Sequence, residues 1–415
     1  MAQDLFKVFS INESNSKWSK CIKRNQDLYV RSNDIRSEFY RDYNRILHSN
    51  SYRRLKHKTQ VFFATSNDHI CTRIEHVNHV SSVSYTISKH LGLNTELTSA
   101  IAIGHDIGHT PFGHAGEEFL KSVINHVTGD KFWHEKNSLR FADYFEMLPD
   151  PEGNEKNMNL TYAVRDGLIC HCGEIDETSL YPREEFIDLN KIERTNQFSP
   201  YTWEGCVVKV ADKISYLGRD IEDAIALKIL SISQLKELSS ILKNTIKLDL
   251  HALNNTVLIH DFIVNLCMES SPDKGIKLSP SHFEFMKAVK DFNYENIYKH
   301  SRLTAYKEYA NLVLKTIYST LNNFYQFDET FIKLERNRDL YPTLITYFID
   351  WLVKYSDIRS SKDQIINYLH KVNKLRNTIV YKLNDQKDYR RAILDFISGM
   401  TDSFAIRVFN EIMSF

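Results

Sequence analysis

Apolar residues return at helical spacing along almost the whole chain, and this limits the fold more than any other feature. In HVNHVSSVSYTISKHLGL (76–93), Val80, Val83, Tyr85, Ile87 and Leu91 fall largely on one face, and Gly92 stands where a helix would end. TELTSAIAIGHDI (95–107) opens on Thr–Glu and carries a stripe through Leu97, Ala100, Ile101 and Ile103. EGCVVKVADKISYLGRDIEDAIALKIL (204–230) is a third, longer amphipathic pattern, and spacing near 3.6 continues beyond 231. With 13 glycines and 8 prolines in 415 residues, the chain lacks the turn-formers that many short strands would need. The expectation is a mostly α fold with at most short β-hairpins, near 57–74 and 173–190. PDPEGNEKNMN (149–159), ERTNQFSPY (193–201) and ESSPDKGIKLSPS (269–281) read as loops.

Charge and cysteine usage narrow the function. Lys plus Arg (53) equals Asp plus Glu (53), which argues against a bulk electrostatic grip on nucleic acid and leaves room only for a local basic patch. The six cysteines are scattered and form no disulfide framework. The first residues, MAQDLFKVFSINES, show no signal-peptide pattern, and apolar windows such as YFIDWLV (347–353) fall short of the ~18 residues of a membrane span. A reduced, cytoplasmic protein with no membrane partner is expected.

The densest polar stretch is IAIGHDIGHTPFGHAGEE (101–118). His105 and Asp106 follow an apolar run, so they sit at the end of a buried helix. Imidazole plus carboxylate suits Mn, Fe, Co, Ni or Zn. Two ligands are too few, but TRIEH (72–76) offers His76, and VKVADKIS (208–215) places Asp212 alone in an apolar run, where an unpaired carboxylate is costly. Together His76, His105, Asp106 and Asp212 would supply two nitrogen and two oxygen ligands. Singly, His76 reads as a surface or capped histidine and Asp212 as a helix N-cap. Cys170-His171-Cys172 lacks the usual zinc Cys-x-x-Cys spacing and reads as structural or incidental. No GxxxxGK[ST] phosphate loop is present.

The words YRRLKHKTQVF (52–62), TRIEHVNHV (72–80), AIAIGHDIGHTPFGHAGEE (100–118), WHEKNSLR (133–140), VADKISYLGRDIEDAI (210–225), NYENIYKH (293–300) and ISGMTDSFA (397–405) occur in an order that resembles the HD superfamily of metal-dependent phosphohydrolases. More narrowly, they resemble its deoxynucleoside triphosphate (dNTP) triphosphohydrolases, the dGTPase-like branch. Thr110 stands where that family usually has proline. The resemblance implies an HD-domain helical core at 51–230, after an N-terminal helical segment at 1–50. A helical C-terminal extension at 231–415 would complete the substrate pocket and oligomer contacts.

It further implies one divalent metal ion, manganese first, with Mg, Co, Ni, Fe or Zn as alternatives, held by His76, His105, Asp106 and Asp212. The reaction would hydrolyse a dNTP, dGTP favoured, at the α-phosphate to a deoxynucleoside and inorganic tripolyphosphate. His114 with Glu117 is similar to the family's catalytic pair. Arg73, His134 and Lys213 would contact phosphate by the same resemblance, with Arg53 and Arg54 as weaker candidates. His109, one turn after His105, would meet a phosphate oxygen. Gly108 and Gly113 would let backbone approach the triphosphate. Asp212, Tyr216, Asp220 and Asp223 share one helix face, which puts Tyr216 and Asp220 along the sugar, with Gln60 nearby. A homo-oligomer, tetramer or hexamer, is implied, with single-stranded nucleic acid or a dNTP as regulator. The competing readings are another HD phosphohydrolase (a nucleotidase or phosphodiesterase), or a silent HD scaffold that binds nucleotide or single-stranded nucleic acid.

Overall fold

The computed structural model describes residues 4–29, 33–63, 67–172, 177–245, 255–361 and 363–414. The chain is mostly helical, and among the described residues the only sheet is one two-stranded hairpin. Helix Arg73–Leu91 starts where Glu75 Oε2 accepts from Thr72 N at 2.8 Å and ends on Gly92, whose φ of +80° only glycine adopts without cost. Its buried stripe is Val77, Val80, Val83, Ile87 and Leu91; Tyr85 falls off that stripe and is exposed. Helix Thr95–Gly104 is capped by Asn94, whose Oδ1 accepts from Glu96 N and Leu97 N, both at 3.0 Å. The third pattern becomes helix Trp203–Ala226, which places Asp212 in mid-helix rather than at an N-cap.

Among the described residues, two apolar cores result. The first gathers helices Glu38–His48, Arg73–Leu91, Thr95–Gly104, Tyr162–Cys170 and Trp203–Ala226, through residues such as Ile46, Val80, Ile101, Leu168 and Ile214, and takes in Phe262 and Phe285 from helices Asn255–Glu269 and Pro280–Asn293. The second joins helix His114–Thr128 to the C-terminal helices, through Phe119, Leu120, Ile317, Phe348, Ile393 and Val408. Ile107 lies in the first core and Phe112 in the second. The HDIGHTPFGH segment is therefore the strand of chain that crosses from one core to the other.

The two-stranded hairpin among the described residues lies outside both expected places. The pairing is Met147–Pro149 against Glu155–Asn157, in register Leu148↔Lys156, with its turn and second strand inside the 149–159 segment that composition marks as a loop. At 57–74 there is a single bridge between Thr59 and Thr72, with residues 64–66 outside the described set. The 173–190 hairpin falls partly on 173–176, also outside it, and Leu180 bridges instead to Ile276. At Leu180 the partner comes from a distant contact that local alternation cannot encode.

Candidate active site

Three helices converge on the first part of the crossing segment. His76 comes from one turn inside helix Arg73–Leu91, His105 and Asp106 follow the last turn of Thr95–Gly104, and Asp212 faces them from Trp203–Ala226. His76 Nε2 lies 2.9 Å from Asp212 Oδ1. His105 Nε2 lies 3.7 Å from Asp106 Oδ1 and 3.8 Å from Asp212 Oδ1. His76, His105 and Asp106 are buried; Asp212 is partly buried.

The donor set fits a divalent cation. His105 Nδ1 is tied to the Ala102 carbonyl at 2.6 Å, which fixes the ring and leaves Nε2 buried without a hydrogen-bond partner. An orphaned imidazole nitrogen facing two carboxylates is what a ligand looks like when its other nitrogen is held by backbone. Burial opposes ionisation of Asp106 and Asp212. It is outweighed at Asp106 by His109 and Arg73, and at Asp212 by the His76 hydrogen bond and His105, so both carboxyls are held below the usual range.

Around this group the structure gathers a ring of imidazoles. His109 Nδ1 sits 2.8 Å from Asp106 Oδ1, and its ring lies 4.1 Å from that of His134 and 6.2 Å from that of His114. His114 is exposed at the mouth, its Nδ1 3.8 Å from Glu117 Oε2. Glu117 is drawn more closely to His134: it accepts from His134 N at 2.9 Å and lies 3.2 Å from His134 Nδ1. Burial works against the charged form of His134, but Glu135 and Glu117 outweigh it and push His134 up to about 10. A cationic His134 is suited to an anionic substrate.

The other candidates are placed as follows. Arg73 is buried, and its Nη1 donates to Asp106 Oδ2 at 2.7 Å. Lys213 is buried next to Asp212. Gln60 is partly buried, and its Oε1 has no hydrogen-bond partner. Tyr216 is partly buried on the Asp212 helix, and Asp220, one turn on, accepts from the Tyr298 hydroxyl. Burial lifts the Asp220 carboxyl to about 7 against the Tyr298 bond. Asp223 turns instead to the Cys71 amide, at 3.0 Å. Arg54 pairs with Glu146 at 3.0 Å, and Arg53 is exposed.

Two readings of the sequence change. His171, set aside as incidental, is buried with its ring 5.0 Å from His105 and 6.0 Å from His134, and burial and His105 press it down to about 3, so it stays neutral. His105, Asp106 and His171 also lie close enough to share one cation. Gly108 does not make room for a phosphate. A Cβ there would meet Ser138 N at 2.0 Å, so the glycine serves contact with helix His134–Arg140. At Gly113 the requirement is conformational, with φ at +56° and the nearest atom to an added Cβ at 3.4 Å. Glu135, buried behind His134, and Tyr298 were also missed; both lie in quoted words, but only three-dimensional packing assigns them a place.

Comparison with known proteins places the chain in a family. Residues 73–217 match the HD domain model, and residues 363–411 match that of the phosphohydrolase-associated domain. The chain is 33% identical over 419 residues to a deoxyguanosinetriphosphate triphosphohydrolase-like protein of Pelagibacter ubique, covering 96% of this chain and 98% of the relative. It is 30% identical over 380 residues to one of Caldanaerobacter subterraneus, covering 91% and 86%. A third, from Clostridium tetani, is 36% identical over 332 residues, covering 79% and 84%. No described helix is long and apolar enough to cross a membrane. The chain belongs to the deoxyguanosinetriphosphate triphosphohydrolase-like family, hydrolases built on an HD domain.

Proposed function

We propose that the chain hydrolyses dNTPs, dGTP favoured, at the α-phosphate, releasing deoxynucleoside and inorganic tripolyphosphate. The observation that carries this reading is the convergence of His76, His105, Asp106 and Asp212, opposite an exposed His114 that has a carboxylate beside it. A divalent metal held by those four residues would supply Lewis acidity, neutralising phosphate charge and making water more acidic. Manganese is the first choice, with Mg, Co, Ni, Fe or Zn as alternatives.

The protein's own groups divide the remaining work. A triphosphate carries about four negative charges near neutral pH, so cations must meet it. His134 supplies one, set by its two carboxylate neighbours. Lys213 adjoins Asp212 in sequence, His109 lies against Asp106, and Arg73 donates to Asp106 while its guanidinium edge borders Gly113. Water attacks the α-phosphorus and the bond to the 5′-oxygen breaks. His114 delivers a proton to that oxygen, and Glu117 orients the imidazole. Tyr216 packs on the sugar edge, while Asp220, with Gln60, receives the 3′-hydroxyl. We propose a homo-oligomer, tetramer or hexamer, with a dNTP or single-stranded nucleic acid as regulator.

The test is to incubate the enzyme with each dNTP and NTP, with Mn²⁺ or Mg²⁺, in ¹⁸O-water and to resolve the products by ion exchange. Tripolyphosphate carrying the label, with an unlabelled deoxynucleoside, supports the proposal. Orthophosphate or a nucleoside monophosphate moves the reaction to another HD phosphohydrolase class, and saturable binding without turnover overturns the catalytic reading.

A further inference from the structure

The turn that carries the chain from Asp106 to His114 is held in an unfavourable backbone. Phe112 has φ +64°, a region that bulky residues rarely enter, and Gly113 follows at +56°. Within the segment, Thr110 Oγ1 donates to the Gly113 carbonyl at 2.9 Å. The other anchors come from far away. Phe112 N donates to Asp402 Oδ1 at 2.8 Å, across 290 residues of sequence. Asp402 Oδ2 accepts from Thr59 N at 2.9 Å and from Thr59 Oγ1 at 2.6 Å. Lys58, next in sequence, is buried and donates to the His109 carbonyl and, at 3.3 Å, to that of Ser398. Asp402 is itself only 4% exposed and opens helix Asp402–Met413, in the segment matched to the phosphohydrolase-associated domain.

We propose that Asp402 is a positioning residue for His114. It holds the Phe112 amide in the left-handed turn, and so sets where the helix that begins with His114 enters the site. The inference rests on the reading of His114 as proton donor to the 5′-oxygen. Three donor hydrogens converge on the two Asp402 oxygens, so both oxygens are needed as acceptors. An asparagine would turn an amino group toward either Phe112 N or the Thr59 pair, and one anchor would fail. A shift of about 1 Å in a catalytic group is enough to cost ~10²-fold in rate.

The test compares two substrates, a dNTP and its analogue with sulfur in place of the bridging 5′-oxygen. In both, water attacks the α-phosphorus and tripolyphosphate forms. With the analogue the P–S bond breaks and sulfur departs as thiolate, which needs no donated proton. His114→Ala should lose ~10²–10⁴-fold on the oxygen substrate and much less on the sulfur substrate. Asp402→Asn should show the same selectivity in milder form, ~10–100-fold in kcat on oxygen with KM within about threefold, and little loss on sulfur. The ratio is taken on one sample, so it does not depend on the fraction folded. Asp402→Glu, which keeps the charge and displaces the oxygens, serves if the asparagine variant does not fold. If His114→Ala loses both activities equally, the reading of His114 fails and the inference falls with it. If His114→Ala is selective and the Asp402 variant loses both equally, the positioning role alone is overturned.

Discussion

Gly108→Ala puts the local account to a quantitative test. The added Cβ would lie 2.0 Å from Ser138 N, 2.3 Å from Asn137 C and 2.5 Å from Ser138 Cα, all backbone atoms that no rotamer change can move. The two segments must part by more than an ångström. Three buried hydrogen bonds cross this contact: Gly108 N to Ser138 Oγ at 3.0 Å, Asn137 Nδ2 to the Gly108 carbonyl at 2.6 Å, and Ser138 Oγ to the His105 carbonyl at 2.7 Å. At about 1 kcal/mol net each, with about 1–3 kcal/mol for overpacking, the variant should lose about 4–6 kcal/mol. That is a large share of the ~5–15 kcal/mol of a typical domain, and thermal unfolding should move down by on the order of 10 °C. The assay is calorimetry or circular dichroism without substrate, with turnover measured alongside. Because the Ser138 bond also fixes the His105 backbone, activity should fall with stability. A variant with unchanged Tm but a raised KM would refute the reasoning, and would return Gly108 to the phosphate-approach role that the sequence suggests.

Further outcomes follow from the same geometry. Asp106→Ala should abolish turnover and metal retention, read by elemental analysis, and should cost about 3–5 kcal/mol because Arg73 is left as a buried unpaired cation. Burial raises the folded Asp220 carboxyl to about 7 from an ordinary value near 3.8. Its contribution is therefore a destabilisation that is absent well below the ordinary value of 3.8, grows as pH rises through it and is complete above about 7. Asp220→Asn should flatten the decline of Tm between those limits while weakening turnover of dNTPs, and an unchanged pH slope would count against the assignment. Chelation should lower Tm by the binding linkage, about 2.7 kcal/mol for an ion present at a hundred times its Kd. Restoring Mn²⁺ should reverse the shift in wild type and not in Asp212→Ala.

What was legible in the sequence was what burial imposes locally. The helices around Val80, Ile101 and Ile214 show their apolar stripes without reference to the rest of the chain. Asp106 and Asp212 stand out because each interrupts an apolar run, where an ionised carboxylate must find a cation or a donor. His171 could not be found this way. Its closeness to His105 is made by helix Tyr162–Cys170 packing on Thr95–Gly104, and Cys-His-Cys carries no spacing that signals it. Asp402 matters through partners 290 and 343 residues away, and Tyr298 through one 78 residues away. The Met147–Asn157 hairpin escaped because three-residue strands are too short to show alternation. Gly108 was misassigned because a glycine in a polar motif looks the same whether its missing side chain admits a ligand or a neighbouring helix.

Everything proposed for the chemistry depends on one cation shared by His76, His105, Asp106 and Asp212. Anomalous diffraction from crystals grown with Mn²⁺ tests this most directly. One peak is expected, about 2.0–2.3 Å from a nitrogen of each histidine and an oxygen of each aspartate, and it should vanish in Asp212→Ala crystals. A peak seated elsewhere, or full occupancy in the variant, would contradict it.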